Sequence, residues 1–376
     1  MYINFWYAAA ASEDLANDPL KVKMLGQNFV LFRDSKGTAH CLSNVCTHRG
    51  GSLGNGKIRN DTVECPYHGW QFNGAGECTK IPSIGKDGKI PPRTRIDSYP
   101  VQEKYGLVFA FLGDCAEGQR PPIMDVPEYG LKGWKPSIMF NEYAANYERS
   151  VENTLDPGHN EFVHPTHGFE GTKDDYKVQD YTLDETEYGC GFTMTFQSPA
   201  LKDGTMKKLR DFAGDLEAGT GHFGPHQTWT QIHMSSTNWF HQYTFRTPVD
   251  ETHTRSWLVN MRNALLENEH DAAIEKRQRA IADQDIVVLE ELEPIVAPQT
   301  NTKENMMPHD KALVRYREYL RTWDSNGWRV DSTQVSLNEK KVAYAVPSPG
   351  RHTVKGWAIA PVPTEIPLKM AEKTIE

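Results

Sequence analysis

Two short runs, Cys46-Thr47-His48-Arg49-Gly50 and Cys65-Pro66-Tyr67-His68-Gly69-Trp70, each pair one cysteine with one histidine, and sixteen residues lie between the pairs. Each run can deliver one thiolate and one imidazole from the tip of a tight loop. Four such ligands could hold a tetrahedral zinc ion. Zinc modules, however, usually group like ligands, two cysteines and then two histidines. A two-iron, two-sulfide cluster accounts better for the mixture, with both thiolates on one iron and both imidazoles on the other. Neutral imidazole in place of thiolate makes such a cluster less negative and raises its potential. Gly50, Gly51 and Gly69 would let backbone amides approach the bridging sulfides with no Cβ in the way.

A second set of metal-type ligands lies in Glu152-Asn153-Thr154-Leu155-Asp156-Pro157-Gly158-His159-Asn160-Glu161-Phe162-Val163-His164. His159 and His164 are five apart, close enough on a helical or distorted helical segment for both rings to reach one ion. Two histidines and one carboxylate on one face of a mononuclear iron leave the opposite positions open to O₂ and substrate. A zinc hydrolase could use the same ligand types, but it has no use for a redox cluster in the same chain. Taken alone, the histidine pair is as readily two satisfied polar side chains.

The C-x-H and C-x-x-H pairs, with Arg49, Tyr67 and Gly69-Trp70, resemble the Rieske [2Fe–2S] domain over roughly residues 5 to 115. The pattern N-x-x-D-x-x-H-x₄-H resembles the catalytic-domain signature of Rieske-type non-haem iron oxygenases, in their terminal oxygenase (α) subunits of the homo-oligomeric α3 type. The resemblance implies that Cys46, His48, Cys65 and His68 hold the cluster and that His159 and His164 hold a mononuclear Fe(II). It places the third iron ligand on a long helix far downstream. There Asp285, followed by apolar residues and Glu290, fits the family's D-x-x-φ-φ-E pattern (φ apolar), with Asp283 as the fallback. It makes Asp156 the carboxylate that links this iron to the cluster of a neighbouring subunit through that subunit's equivalent of His68, and it puts Asn153 close to the metal.

The expected activity is activation of O₂ to hydroxylate or oxidatively demethylate a small aromatic or cyclic substrate. Ring cis-dihydroxylation is the alternative, and a Rieske electron-transfer protein without oxygenase activity is a second. No G-x-G-x-x-G strand–turn–helix fingerprint for a nicotinamide or flavin is found. An external NAD(P)H-dependent reductase, directly or through a ferredoxin, is therefore expected to supply electrons to a homotrimer.

These ligands need two scaffolds, and 376 residues exceed what one hydrophobic core usually organises. From Phe29 to Phe111 the chain reads as short strands broken by Gly- and Asn-rich turns. The Pro-rich piece Pro121–Pro127 then leads into a region of different periodicity. Strands are expected at Gly191–Phe196, Gln227–His233, Trp239–Phe245 and Thr254–Asn260. Helices are expected around Tyr143–Phe162, broken at Pro157, over Glu267–Leu292, and over Asp310–Trp323. The expected fold class is α+β: an all-β module over residues 1–125, and over 126–376 a catalytic domain with an antiparallel sheet covered by helices.

With 38% hydrophobic and 24% charged residues the chain is globular in composition. A net charge of −9 without a basic stripe argues against nucleic acid. No stretch approaches the ~20 apolar residues of a membrane span, and Met1–Tyr7 lacks the features of a secretory signal, so a cytoplasmic location is expected. His167, after Pro165, reads as loop. His222 and His226 read as part of a mobile loop near the pocket mouth, and Cys41, Cys78, Cys115 and Cys190 as small buried hydrophobes.

Overall fold

The computed structural model describes residues 1–201 and 204–367. It divides into two compact units: Met1–Ile123 with Thr247–Asp250 and the segment from Trp323 on, and Met124–Arg246 with Glu251–Thr322. Sequence reasoning groups everything after residue 125 in one domain, whereas the described residues from 323 to 367 group with the first unit. Phe5 meets Trp323 and Trp328 edge-on at ring-centroid distances of 5.0 and 5.7 Å. The buried Asp97 carboxylate accepts two hydrogen bonds from Arg351, each 2.7 Å long. Contacts this distant in sequence leave no periodicity to read.

The first unit is built from short strands: β1 (Phe5–Ala11), β2 (Leu20–Met24), β3 (Gln27–Arg33), β4 (Ala39–Ser43), β5 (Lys57–Arg59), β6 (Thr62–Glu64), β7 (Gln71–Asn73), β8 (Cys78–Lys80), β9 (Ser98–Tyr99), β10 (Val101–Lys104) and β11 (Leu107–Leu112). They form sheets in the orders β1-β11-β10, β2-β3-β4-β9 and β5-β6-β7-β8. Three hairpins close through two-residue turns with both residues at positive φ: Leu25-Gly26, Asn60-Asp61 and Tyr105-Gly106. That backbone twist matches the twist of the paired strands. Val30, Phe32, Leu42, Leu53, Val63 and Phe72 make a core beneath the two Cys/His loops. Those loops lie between β4 and β5 and between β6 and β7, so each is held at both ends by paired strands.

The second unit carries a seven-stranded sheet of β12 (Lys135–Tyr143), β13 (Asp184–Thr186), β14 (Gly189–Ser198), β15 (Gly214–Phe223), β16 (Gln227–His233), β17 (Trp239–Pro248) and β18 (Thr254–Arg262). Its order is β12-β18-β17-β16-β15-β14-β13, with antiparallel neighbours. Among its helices are α1 (Tyr147–Leu155), α2 (Asn160–Val163), α3 (Gly204–Lys207), α4 (Asp271–Leu289) and α5 (Lys311–Ser325). Helix α1 starts at Asn146, whose side chain accepts the Glu148 N–H. It stops at Leu155 because Asp156, which precedes Pro157, is held in extended backbone. Among the described residues, no helix is long and apolar enough to cross a membrane.

Candidate metal centres

The two Cys/His loops share one backbone design. Cys46 N–H donates to the Gly51 carbonyl and Gly50 N–H to the Cys46 carbonyl, while Cys65 N–H donates to Trp70 O and Gly69 N–H to Cys65 O. The turns need a residue at positive φ four places after each cysteine, and Gly50 (φ 72°) and Gly69 (φ 68°) supply it. Two like loops therefore present their side chains to a common point. Cys46 and Cys65 are buried, whereas His48 and His68 are exposed. The imidazoles face each other through the same atom, Nδ1 to Nδ1 at 3.1 Å. Trp70 stacks flat on His48 with ring centroids 4.6 Å apart.

Burial, with Cys65 and Cys78 nearby, pushes the Cys46 thiol up to about 12. Such a thiol stays protonated unless a bound cation stabilises the thiolate and the proton leaves to solvent, as in thiolate ligation. Groups of three or more ligand atoms mutually within 4.8 Å occur among the described residues at His159, His164 and Asp285, and at Asp156, His309 and Asp310. No three of Cys46, His48, Cys65 and His68 gather that tightly, as ligands of one tetrahedral zinc would have to. Buried thiols behind and paired imidazoles in front suit a two-iron cluster.

In the second unit, α1, the turn after it and α4 converge. His164 Nε2 lies 3.2 Å from His159 Nε2 and 3.2 Å from Asp285 Oδ1, and His159 Nε2 lies 3.7 Å from that same oxygen. Asp283 takes no part. The cavity-facing positions of α4 run Ile274, Arg277, Gln278, Ile281, Ala282, Asp285, Ile286 and Leu289, a helical stripe that includes 285 and skips 283.

The supporting contacts fix the rings. His159 Nδ1 bonds the Asp156 carbonyl at 2.5 Å, and His164 Nδ1 bonds Gln284 Oε1 at 3.1 Å, so both Nε2 atoms turn inward. Asn153 Nδ2 donates to Asp285 Oδ1 at 3.0 Å. Burial alone would raise the Asp285 carboxyl, but the hydrogen bond and charge of His164 and the nearby His159 hold it below its usual value. His164 is shifted the other way: burial opposes its charge, and Asp285 outweighs that and raises it. The two opposite shifts are the mutual effect of a carboxylate and an imidazole held 3.2 Å apart. Gln284 and Thr166 support the site with no sequence signal of their own; only adjacency to Asp285 on a helix could have pointed to Gln284.

Asp156 is oriented by Gly158, whose N–H donates to its Oδ1 at 2.6 Å, and His309 and Asp310 stand beside it. His309, from a distant segment, is invisible to local pattern. His167 follows His164 in a short 3₁₀ turn and lines the cavity. Burial pushes its imidazole down to about 3, so it is neutral. His222 and His226 do not form the mobile loop expected from the glycines around them. Both are buried, and His222 lies on β15 between the edges of Tyr316 and Tyr319, its imidazole lowered to about 4 by burial.

His159, His164 and Asp285 open into a cavity of about 290 Å³ between the sheet and α4. Alternate residues supply its sheet wall, among them Phe192, Met194 and Phe196 of β14, Thr230 and Ile232 of β16, and Phe240, Gln242 and Thr244 of β17. Arg246, fully buried, donates to Ser150 Oγ, Thr154 Oγ1 and Thr228 Oγ1, each at 2.7 Å, and so ties α1 to the sheet and sets the position of Asn153.

Residues 5–100 match the Rieske [2Fe-2S] domain, and residues 143–325 match the vanillate O-demethylase oxygenase C-terminal domain. The iron-sulfur subunit of the toluene-4-sulfonate monooxygenase system of Comamonas testosteroni is 38% identical over 164 residues, 43% of this chain and 46% of that protein. The oxygenase component of dicamba O-demethylase of Stenotrophomonas maltophilia is 31% identical over 167 residues, 43% of this chain and 47% of that protein. The chain thus spans about half the length of these relatives. In fold it is similar to NdmA of Pseudomonas putida CBB5 solved with caffeine, with a TM-score of 0.73 at 21% identity, covering 86% of this chain and 91% of that one. With a Rieske domain followed by this oxygenase domain, the chain belongs to the Rieske-type non-haem iron oxygenases.

Proposed function

We propose that the chain is the terminal oxygenase component of a system that hydroxylates or oxidatively demethylates a small aromatic or cyclic molecule. The observation that carries this reading is the His159–His164–Asp285 group opening into a largely apolar cavity, in a chain that also carries the paired Cys/His loops. On this reading Cys46, His48, Cys65 and His68 hold the [2Fe–2S] cluster, and His159, His164 and Asp285 hold the mononuclear Fe(II). When bound, these groups supply single electrons and the activation of O₂.

The protein's part is positioning. The Asp156 carbonyl and Gln284 hold the Nδ1 side of the two imidazoles, leaving Nε2 for the metal, while Asn153 orients the Asp285 carboxylate. Phe192, Met194, Phe196 and Ile232 shape an apolar wall that holds substrate and limits water. An external NAD(P)H-dependent reductase, directly or through a ferredoxin, is the electron source. The enzyme is placed in the reducing cytoplasm, which suits six cysteines that are all unpaired in the structure.

We further assign a homotrimer in which Asp156 of one subunit accepts from a cluster histidine, equivalent to His68, of the next. The exposure of the His48 and His68 rings, with Tyr67 59% exposed beside them, supports a face that meets another chain.

The test is turnover under ¹⁸O₂ with an added reductase and NAD(P)H, on a panel of methyl- and methoxy-substituted arenes. Hydroxylated product carrying one ¹⁸O atom, or demethylated product with equivalent O₂ uptake, is expected. Rapid reduction of the cluster with no product from any arene, and with electrons passed instead to an added acceptor protein, would mark an electron carrier.

A further inference from the structure

Among the residues that α4 presents to the cavity, Ile274, Ile281, Ala282, Ile286 and Leu289 are apolar, Asp285 meets the two histidines, and Arg277 Nη1 donates to the Thr166 carbonyl at 2.7 Å. Gln278 fits none of these descriptions. It is only 8% exposed, it lines the cavity, and among the described residues its side-chain amide has no hydrogen-bond partner. One turn away, Ile274 packs in an apolar cluster with Leu201, Met206 and Leu209. The amide atoms open onto the cavity space rather than being sealed among apolar side chains, so a molecule in the cavity can complete their hydrogen bonds. A ligand that completes its hydrogen bonds gives the glutamine a use.

We propose that Gln278 is a specificity-determining residue that hydrogen-bonds a neutral carbonyl or carboxamide group of an otherwise apolar substrate. Resting on the oxygenase reading of the same site, this names the substrate class. The amide offers both a donor and an acceptor and carries no charge, so it matches a carboxamide or carbonyl and gives an anion nothing to pair with. Of the two arginines in the wall, Arg246 directs its guanidinium to Ser150, Thr154 and Thr228, and Arg277 donates from Nη1 to the Thr166 carbonyl. Gln278 precedes Asp285 by seven residues, which sets the two side chains about 10 Å apart along the helix. A single aromatic ring with its reacting substituent opposite the carboxamide spans that interval once the hydrogen bond is included.

The experiment is calorimetric binding to the metal-loaded enzyme of three probes of matched shape: 4-methoxybenzamide, 4-methoxybenzoate and 4-methylanisole. Wild type is expected to bind the benzamide tightest, and Gln278→Met to weaken it about tenfold, while 4-methylanisole is unchanged or improved. Gln278→Asn, which withdraws the amide by one methylene, should move in the same direction and serves if the methionine variant is poorly folded. Tighter binding of the benzoate, an unchanged preference in both variants, or no binding of any probe to wild type would each overturn the assignment. Because preference is read without turnover, an enzyme that discriminates in this way yet forms no oxygenated product would sink the oxygenase reading and leave this one standing.

Discussion

Asp285→Ala is expected to lose the iron of the second unit and keep the visible spectrum of the cluster, while Asp283→Ala is expected to change neither. Only one of these carboxylates is in place: Asp285 Oδ1 stands 3.2 Å from His164 Nε2 and 3.7 Å from His159 Nε2, and Asp283 lies off the cavity-facing stripe of α4. Removing it takes the anionic member from a group of three. Because residues that merely orient metal ligands are each worth about 10–100-fold in affinity or activity, loss of a ligand should cost more than about a hundredfold in product formation. The cluster should survive because its four side chains belong to the other compact unit and its separate core. Iron analysis with absorption spectroscopy on the two variants decides the point. If Asp283→Ala empties the site and Asp285→Ala does not, the placement of Asp285 as ligand falls.

If the chain forms the proposed head-to-tail trimer, a mixture of two inactive chains is expected to regain activity. On the proposed ligand sets, Cys65→Ser removes a cluster ligand and leaves the iron site, whereas His159→Ala removes an iron ligand and leaves the cluster. In a closed head-to-tail ring each electron-transfer junction uses the donor of one chain and the acceptor of the next. Random equal co-assembly gives an intact donor facing an intact acceptor at about one junction in four. Roughly a quarter of wild-type activity should return from two preparations that each have essentially none. Transfer within a single chain would give nothing, since every chain carries one broken centre. Mixed trimers verified by native mass and wholly inactive would therefore end the role proposed for Asp156.

The cluster loops were legible because their information is local. Ligand types, spacing and the glycines at positions 50 and 69 all lie within a few residues of one another, and the structure gives both loops the same hydrogen-bond pattern. Helix α4 was legible too, since its apolar residues recur at helical intervals without Gly or Pro; the choice of Asp285 over Asp283 rests on the D-x-x-φ-φ-E pattern, and the cavity-facing residues of the helix include 285 and not 283. What sequence could not give is register across the sheet and contact across long intervals. The cavity wall is assembled from alternate residues of non-consecutive strands, which only the pairings of β12 to β18 define. Arg246 holding α1, His309 beside Asp156, and the packing of the chain after Trp323 with the first unit join segments far apart in sequence. Glycines around His222 suggested a mobile loop, whereas β15 pairs on both sides there, with Gly191 opposite Gly221 and Thr228 opposite His222.

One chain with two different iron centres should reveal both in the iron and acid-labile sulfide content of the purified protein per chain. About three irons and two sulfides are expected, two irons with the bridging sulfides at Cys46, His48, Cys65 and His68 and one more at His159, His164 and Asp285. Two irons and two sulfides, with no further iron bound on anaerobic addition of Fe(II), would contradict the two-centre reading and leave an electron carrier with an unused second unit.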